Sequence, residues 1–162
     1  MAALPKRMNA TVAWRPMRVA EVAYVAALEA QIHAAPWTAG NFRDALAAGY
    51  SALVGEREGR IVAFGVMMLA PGEAQLLNLS VVSDARREGL GRELLHRFVG
   101  IAATTGAAHI FLEVRVSNAV AIALYEGDGF VRVARRAKYY PPSPTGERED
   151  ALVMRLTIGE PA

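Results

Sequence analysis

The sequence predicts a mixed α/β fold with a mainly antiparallel sheet, its elements running β-αα-βββ-α-β-α-ββ. Three observations predict it. Apolar residues recur at three- and four-residue spacing in several runs, as amphipathic helices require. Between them lie β-rich runs bounded by Gly, Pro and Asp. One strand-helix-strand unit in the middle of the chain then requires a locally parallel pair inside the antiparallel sheet. About seven strands flanked by about four helices result.

Thr11 to Trp14 reads as the first strand. Val22, Val25, Leu28 and Ile32 then lay one apolar face along a helix. Pro36 breaks that helix, Thr38 caps a second one in which Phe42 and Leu46 are four apart, and Gly49 ends it. Tyr50 to Gly55 and Arg60 to Leu69 are strands separated by Glu56 to Gly59, and Pro71-Gly72 turns the chain into a third, Gln75 to Val82. Leu90, Leu94, Phe98 and Ala102, with Leu95 and Val99 beside them, mark the clearest helix, Gly89 to Thr105, stopped by Gly106. Ile110, Leu112, Val114 and Val116 alternate with Phe111, Glu113 and Arg115 in the next strand, which leaves a carboxylate near its end. Ser117 or Asn118 caps a short helix to Asp128, closed by Gly129, and Phe130 to Tyr140 and Ala151 to Thr157 are the last strands. Pro141 to Gly146 is a proline-rich loop. No repeat or linker divides the chain, so residues 1–162 are expected to form one domain with its core over about 10–158.

Composition removes several functions. With 53% hydrophobic and 21% charged residues, the 162-residue chain is not a disordered one. Its longest nearly unbroken apolar stretch, Ile61 to Ala70, is about half of what a membrane-spanning helix needs. Cysteine is absent, which excludes disulfides, zinc-thiolate sites and an acyl-cysteine intermediate. Eighteen basic against sixteen acidic residues leave +2, too little for a nucleic-acid binder. Met1 to Arg18 mixes Lys6, Arg7, Arg15 and Arg18 among short apolar pieces, unlike a secretory leader, so a cytoplasmic location is expected. His33, His96 and His109 show no ligand spacing; they are expected at the surface, and no metal is assigned.

Arg86-Arg87-Glu88-Gly89-Leu90-Gly91-Arg92 follows a strand and opens the clearest helix, where free backbone N–H groups and the positive end of the helix dipole suit a phosphate. A plain helix entry flanked by solvated arginines fits the same residues. A Walker loop is excluded because the only lysines are Lys6 and Lys138. A dinucleotide fingerprint would have its third glycine where Leu94 stands, and Ser83 to Glu88 interposes a loop before the first.

On this loop, after Leu76 to Val82 and before an amphipathic helix, the chain resembles the GNAT acetyltransferases. Glu113 to Asn118, Ala121 to Glu126, Gly129-Phe130, Tyr139-Tyr140-Pro141, His33 to Trp37 and Gly146 to Asp150 sharpen the resemblance toward the RimI group, bacterial alanine N-acetyltransferases that act on a ribosomal protein. The resemblance implies acetyl-CoA as co-substrate. It also implies backbone hydrogen bonds from Leu79, Ser80 and Val81 to the acetyl-pantetheine arm, a pyrophosphate held by Arg86, Arg87, Glu88, Gly89, Leu90, Gly91 and Arg92, and a contact from Asn118 to the arm. The implied partner is the N-terminus of a small-subunit ribosomal protein, with no direct nucleic-acid or membrane binding. Ser80, where many relatives carry a small apolar residue, and Pro142-Ser143-Pro144 depart from the pattern.

Acetyl transfer from a thioester to an amine needs a neutral amine, a stabilised carbonyl oxygen and a proton for the departing thiolate. An α-amine, with pKa about 7.7–8.0, asks less of its base than a lysine near 10.4. By the resemblance Glu113 is the base, acting through water; the same residue could instead pair with Arg115, two positions along the strand. Tyr125 is the implied acid, a core aromatic being the plain alternative. Trp37 and one of Tyr139 and Tyr140 are expected to shape the acceptor groove, since alternation sends the two tyrosines to opposite faces. A lysine or small-amine acetyltransferase, or a non-catalytic acyl-CoA-binding module, remains open on the same scaffold.

Overall fold

Two-residue turns set this part of the sheet: Glu58-Gly59 joins β2 (Ser51–Arg57) to β3 (Arg60–Ala70) and Pro71-Gly72 joins β3 to β4 (Glu73–Val81), with Glu58, Gly59 and Gly72 all at positive φ. The computed structural model describes residues 11–142 and 146–159; Ser143 and Pro144 of the proline-rich loop, and the two ends of the expected domain, lie outside the described residues. Around these three strands come β1 (Ala13–Pro16), α1 (Val22–Ile32), α2 (Ala39–Ala47), α3 (Leu90–Thr104), β5 (His109–Arg115), α4 (Ala119–Gly127), β6 (Val131–Tyr140) and β7 (Glu149–Thr157). The element order is the expected one. The first strand sits two residues later than the sequence suggests, because its limits are set by pairing with β2, from Ala13 opposite Glu56 to Pro16 opposite Leu53.

The seven strands form one sheet in the order β1-β2-β3-β4-β5-β7-β6, antiparallel throughout except for β4 and β5. Thr38 caps α2 by accepting from the Asn41 N–H, and Asn118, the second of the two proposed caps, does the same for α4 through the Ala121 N–H. One face of the sheet packs on α3 and α4 through Met67, Leu76, Leu94, Leu95, Phe98, Ile110, Leu112, Ile122 and Met154. The other packs on α1 and α2 through Val22, Val25, Phe42, Val54, Phe64 and Val66. At Gly65 the backbone of β4 and the ring of Phe98 approach so closely that a Cβ would lie 2.6 Å from the Asn78 carbonyl oxygen and 2.8 Å from Phe98 Cε2.

Two irregularities position the site. Between β3 and β4, Val66 faces Asn78 while Met67 faces Leu76, so Leu77 is an extra residue in β4. An inserted residue exchanges the two faces of a strand. Before the bulge Ala74 and Leu76 point toward α3; after it Leu79 and Val81 do, and Asn78 and Ser80 turn toward α1. The second irregularity is the parting of the parallel pair. β4 and β5 are in register only from Glu73–His109 to Leu76–Leu112, and beyond that point Leu77 to Val81 have no ladder partner on the β5 side.

Candidate active site

Where β4 and β5 part, a cleft of about 420 Å³ opens. Leu76 to Leu79 form one wall and Leu112 to Arg115 the other; His33, Trp37 and the buried Glu29 close it from the α1 side, and Asn118, Tyr125 and Tyr140 from the opposite end. Of the residues proposed from sequence, the cleft therefore gathers Trp37, Leu79, Glu113, Asn118, Tyr125 and Tyr140. Ser80, Val81, Tyr139 and the segment from Arg86 to Arg92 do not line it.

The glycine segment lies past the end of β4, after a short 3-10 turn at Ser83–Ala85. Arg86 to Gly89 are exposed, Leu90 is buried, and the first α3 hydrogen bond runs from the Glu93 N–H to the Gly89 carbonyl. No side chain caps this end. Gly89 has φ +78 with nothing within 4 Å of where a Cβ would stand, and Arg87 is left-handed too, at φ +64. Uncapped N–H groups at the start of a fifteen-residue helix, open space above Gly89 and the exposed Arg86 and Arg87 suit a diphosphate. Glu88 and Arg92 are engaged elsewhere. Glu88 takes two hydrogen bonds from Arg57, at 2.7 and 3.3 Å, which turns its charge away from the helix end, and Arg92 lies 3.4 Å from Asp128.

Glu113 does not pair with Arg115. Arg115 donates to Glu149 at 3.2 Å and stacks on Tyr140, whereas Glu113 accepts from Arg136 of β6 at 2.6 Å and from the Tyr139 hydroxyl. Spacing along one strand did not reveal this, because the partners arrive from a strand two places away in the sheet. Tyr139 and Tyr140 are also not on opposite faces. A register shift between Arg136 and Tyr140, with Lys138 at φ +51, breaks the alternation, and the two rings meet edge to face with centroids 5.1 Å apart. The hydrogen bond to Glu113 raises the Tyr139 phenol, and burial, with Glu113 nearby, pushes that of Tyr140 up to about 12. Tyr125 is 8% exposed, packs on Phe130 at 5.6 Å and opens onto the cleft; burial pushes its phenol well above the ordinary range, so it stays protonated.

A cluster that sequence reasoning missed stands on the α1 side. Glu29, 2% exposed, accepts from the Asn78 amide at 3.0 Å, the Ser80 hydroxyl at 3.2 Å and the Trp37 backbone N–H at 3.1 Å. His33 Nε2 lies 2.8 Å from Ser80 Oγ and 3.5 Å from Glu29 Oε1, so this histidine is not a plain surface residue. Ser80 has its side chain in this cluster, which explains a polar residue at that point of β4. One signal was available: Glu29 falls on the apolar stripe of α1, seven residues after Val22 and four after Val25. Among the described residues, no group of three or more His, Asp and Glu could hold a metal ion, and no helix is long and apolar enough to cross a membrane.

A mixed sheet parted at its one parallel pair, with a glycine-opened helix beyond the parting strand, defines the class as an α/β fold with its cleft at the break in the sheet. The chain belongs to the acetyltransferase (GNAT) family, whose model matches residues 18–130. It is 40% identical over 131 residues to the [ribosomal protein bS18]-alanine N-acetyltransferase of Escherichia coli (strain K12), a match that covers 81% of this chain and 87% of that protein. The crystal structure of the ribosomal-protein-S18-alanine N-acetyltransferase from Escherichia coli superposes with a TM-score of 0.87 at 34% identity, covering 94% of this chain and 97% of that one. A chain of the NatC complex bound to Gag peptide and CoA shares the fold, with a TM-score of 0.81 at 20% identity, over 91% of this chain and 99% of that one.

Proposed function

We propose that the protein transfers the acetyl group of acetyl-CoA directly to the N-terminal α-amine of an alanine-initiated protein, a small-subunit ribosomal protein. The observation that carries the reading is the cleft at the β4–β5 parting, which brings Glu113 and Tyr125 to one space reached from the glycine segment along β4. The Escherichia coli relatives are alanine N-acetyltransferases of ribosomal protein S18, which supports the choice of acceptor.

In this reading the unpaired edge of Leu79, Ser80 and Val81 hydrogen-bonds the acetyl-pantetheine arm, and the backbone from Gly89 to Arg92, with Arg86 and Arg87, receives the diphosphate. Asn118 spends its amide oxygen on the α4 cap and keeps its N–H donors for the arm. Trp37 and Tyr140 border the acceptor's entry, and Tyr139 reaches the site through Glu113. The acceptor nitrogen attacks the thioester carbonyl, Glu113 collects a proton from that nitrogen through water, and Tyr125 donates a hydrogen bond to the departing sulfur.

The test incubates the protein with acetyl-CoA and peptides beginning Ala, Ser or Met, beside an N-blocked peptide that contains lysine. Fragmentation mass spectrometry locates the acetyl group. The expected product is α-acetylated alanine peptide; labelling confined to lysine overturns the assignment.

A further inference from the structure

An α-ammonium group carries three hydrogens on nitrogen and the amide product carries one. Two protons therefore leave nitrogen as the C–N bond forms and the C–S bond breaks; one ends on the coenzyme thiol and the other goes to solvent. Glu113 accounts for a single acceptor, and nothing so far accounts for the proton that must leave before the amine can attack.

The geometry around His33 supplies one. Ser80 Oγ stands 2.9 Å from Asn78 Oδ1, 3.2 Å from Glu29 Oε1 and 2.8 Å from His33 Nε2, yet a hydroxyl donates only once. Reversing the Asn78 amide would set its oxygen against the Glu29 carboxylate, because its nitrogen now donates there at 3.0 Å. Were His33 Nε2 unprotonated, Ser80 would have to donate to it and leave both oxygen–oxygen contacts without a hydrogen. With the hydrogen on Nε2, His33 donates to Ser80 and the Ser80 hydroxyl donates onward to Glu29 or Asn78, which leaves one such contact in place of two. The basic nitrogen of the neutral ring is then Nδ1, which has no hydrogen-bond partner among the described residues. The side chain is 37% exposed and lines the same cleft as Glu113. A buried carboxylate behind an imidazole whose far nitrogen is open is an arrangement that steadies the ring when it takes a proton.

We propose that His33 is a second proton acceptor of the acceptor site: its Nδ1 takes the first proton from the incoming α-ammonium and releases it to solvent, and Glu113 takes only the proton shed as the C–N bond forms. This rests on the α-amine acetylation reading. The titratable and charged groups that share the cleft with the ring are Glu29 from α1, Glu113 and Arg115 from β5, Tyr125 from α4 and Tyr140 from β6. Arg115 is engaged by Glu149, and Glu113 by Arg136, so Glu29 is the carboxylate in contact with the ring.

The test measures thiol release from acetyl-CoA with an alanine-initiated peptide as kcat/KM against pH, for the wild type, His33→Gln and His33→Asn. Without an imidazole the peptide must arrive already neutral, so the acid limb moves up toward the α-amine. The neutral fraction of an α-amine falls tenfold for each pH unit below its pKa, which makes the variants' deficit about 10-fold or more in the acid range and slight above pH 8.5. An aminooxy-terminated analogue of the peptide, whose nucleophile is neutral throughout, abolishes the deficit. An unmoved limb, or a loss equal at every pH, overturns the role of His33 alone. A wild-type protein that acetylates no α-amine overturns the reading of the site, and this role with it.

Discussion

The guanidinium of Arg136 donates to Oε1 of Glu113 across 2.6 Å, joining the edge strand β6 to the strand that walls the cleft. Arg136 also stacks on Tyr139 at 4.4 Å, and the Tyr139 hydroxyl hydrogen-bonds the same carboxylate. Glu113 is thus oriented by two groups from one bulged segment, and what distinguishes a base from a structural partner is the effect of removing its proton affinity while keeping its shape. Glu113→Gln is expected to lower kcat by at least about 100-fold, the lower end of what a positioned base contributes, with acetyl-CoA affinity and melting temperature little changed. Isothermal titration with acetyl-CoA and stopped-flow thiol release check both halves. Near-normal turnover would leave Glu113 as the partner of Arg136 alone.

Tyr125→Phe keeps the ring against Phe130 and removes the hydroxyl. Single-turnover transfer is expected to slow by about 10-fold or more, and an unchanged rate returns Tyr125 to the core. The same variant carries a stability prediction with a definite sign. Burial raises the phenols of Tyr125 and Tyr140, the latter to about 12, whereas unfolded tyrosines ionise near 10. Above about pH 10 the unfolded chain binds fewer protons than the folded one, so stability present below that pH falls as pH rises toward 12. Urea midpoints at pH 9 and 11.5 should drop further for the wild type than for Tyr125→Phe.

The elements were legible because each has a local cause: Thr38 and Asn118 at helix starts, Gly49 and Gly106 at positive φ past helix ends, strict four-residue spacing from Leu90 to Ala102. The site was legible in part. Glu113 and Tyr125 were named through the resemblance, and both line the cleft. Their partners were not found, because Arg136 reaches Glu113 across the sheet and Lys138 at φ +51 breaks the alternation that would have placed Tyr139. The Glu29 cluster was hidden for a related reason. The extra residue Leu77 turns Asn78 and Ser80 to the α1 side, and its one mark in the sequence is the doublet Leu76-Leu77, where the apolar alternation passes from Ala74 and Leu76 to Leu79 and Val81.

Arg86 and Arg87 stand exposed beside the uncapped start of α3, while Glu88 is tied to Arg57. Replacing both arginines by alanine is expected to raise KM for acetyl-CoA by about 10-fold or more, an effect that shrinks as salt rises, since exposed charges are screened over roughly 10 Å at 0.1 M ionic strength. Glu88→Gln should leave that KM within about twofold, because its charge is already neutralised by Arg57. Steady-state kinetics at two salt concentrations separates these outcomes; equal effects of the two changes would mean that the segment does not receive the diphosphate.

Two glycine substitutions should move stability in opposite directions, and the reason lies in what each Cβ would meet. At Gly65 the added methyl would stand 2.6 Å from the Asn78 carbonyl oxygen and 2.8 Å from the Phe98 ring, the first a backbone atom beside the bulge that cannot yield without moving β4. Gly65→Ala is expected to cost about 1–3 kcal/mol, the usual range for overpacking a filled core. At Gly100, on the exposed side of α3, nothing lies within 4 Å, so the methyl meets no obstacle and the unfolded chain loses freedom. Gly100→Ala should therefore stabilise by about 0.5–1 kcal/mol. Chemical denaturation of the two variants reads both signs. Because the Gly65 change presses on the strand that carries Asn78 and Ser80, it should also slow acetyl transfer, whereas Gly100→Ala leaves the rate as it is; a Gly65→Ala protein as stable as the wild type would show that β4 is free to shift where the bulge is held to fix it.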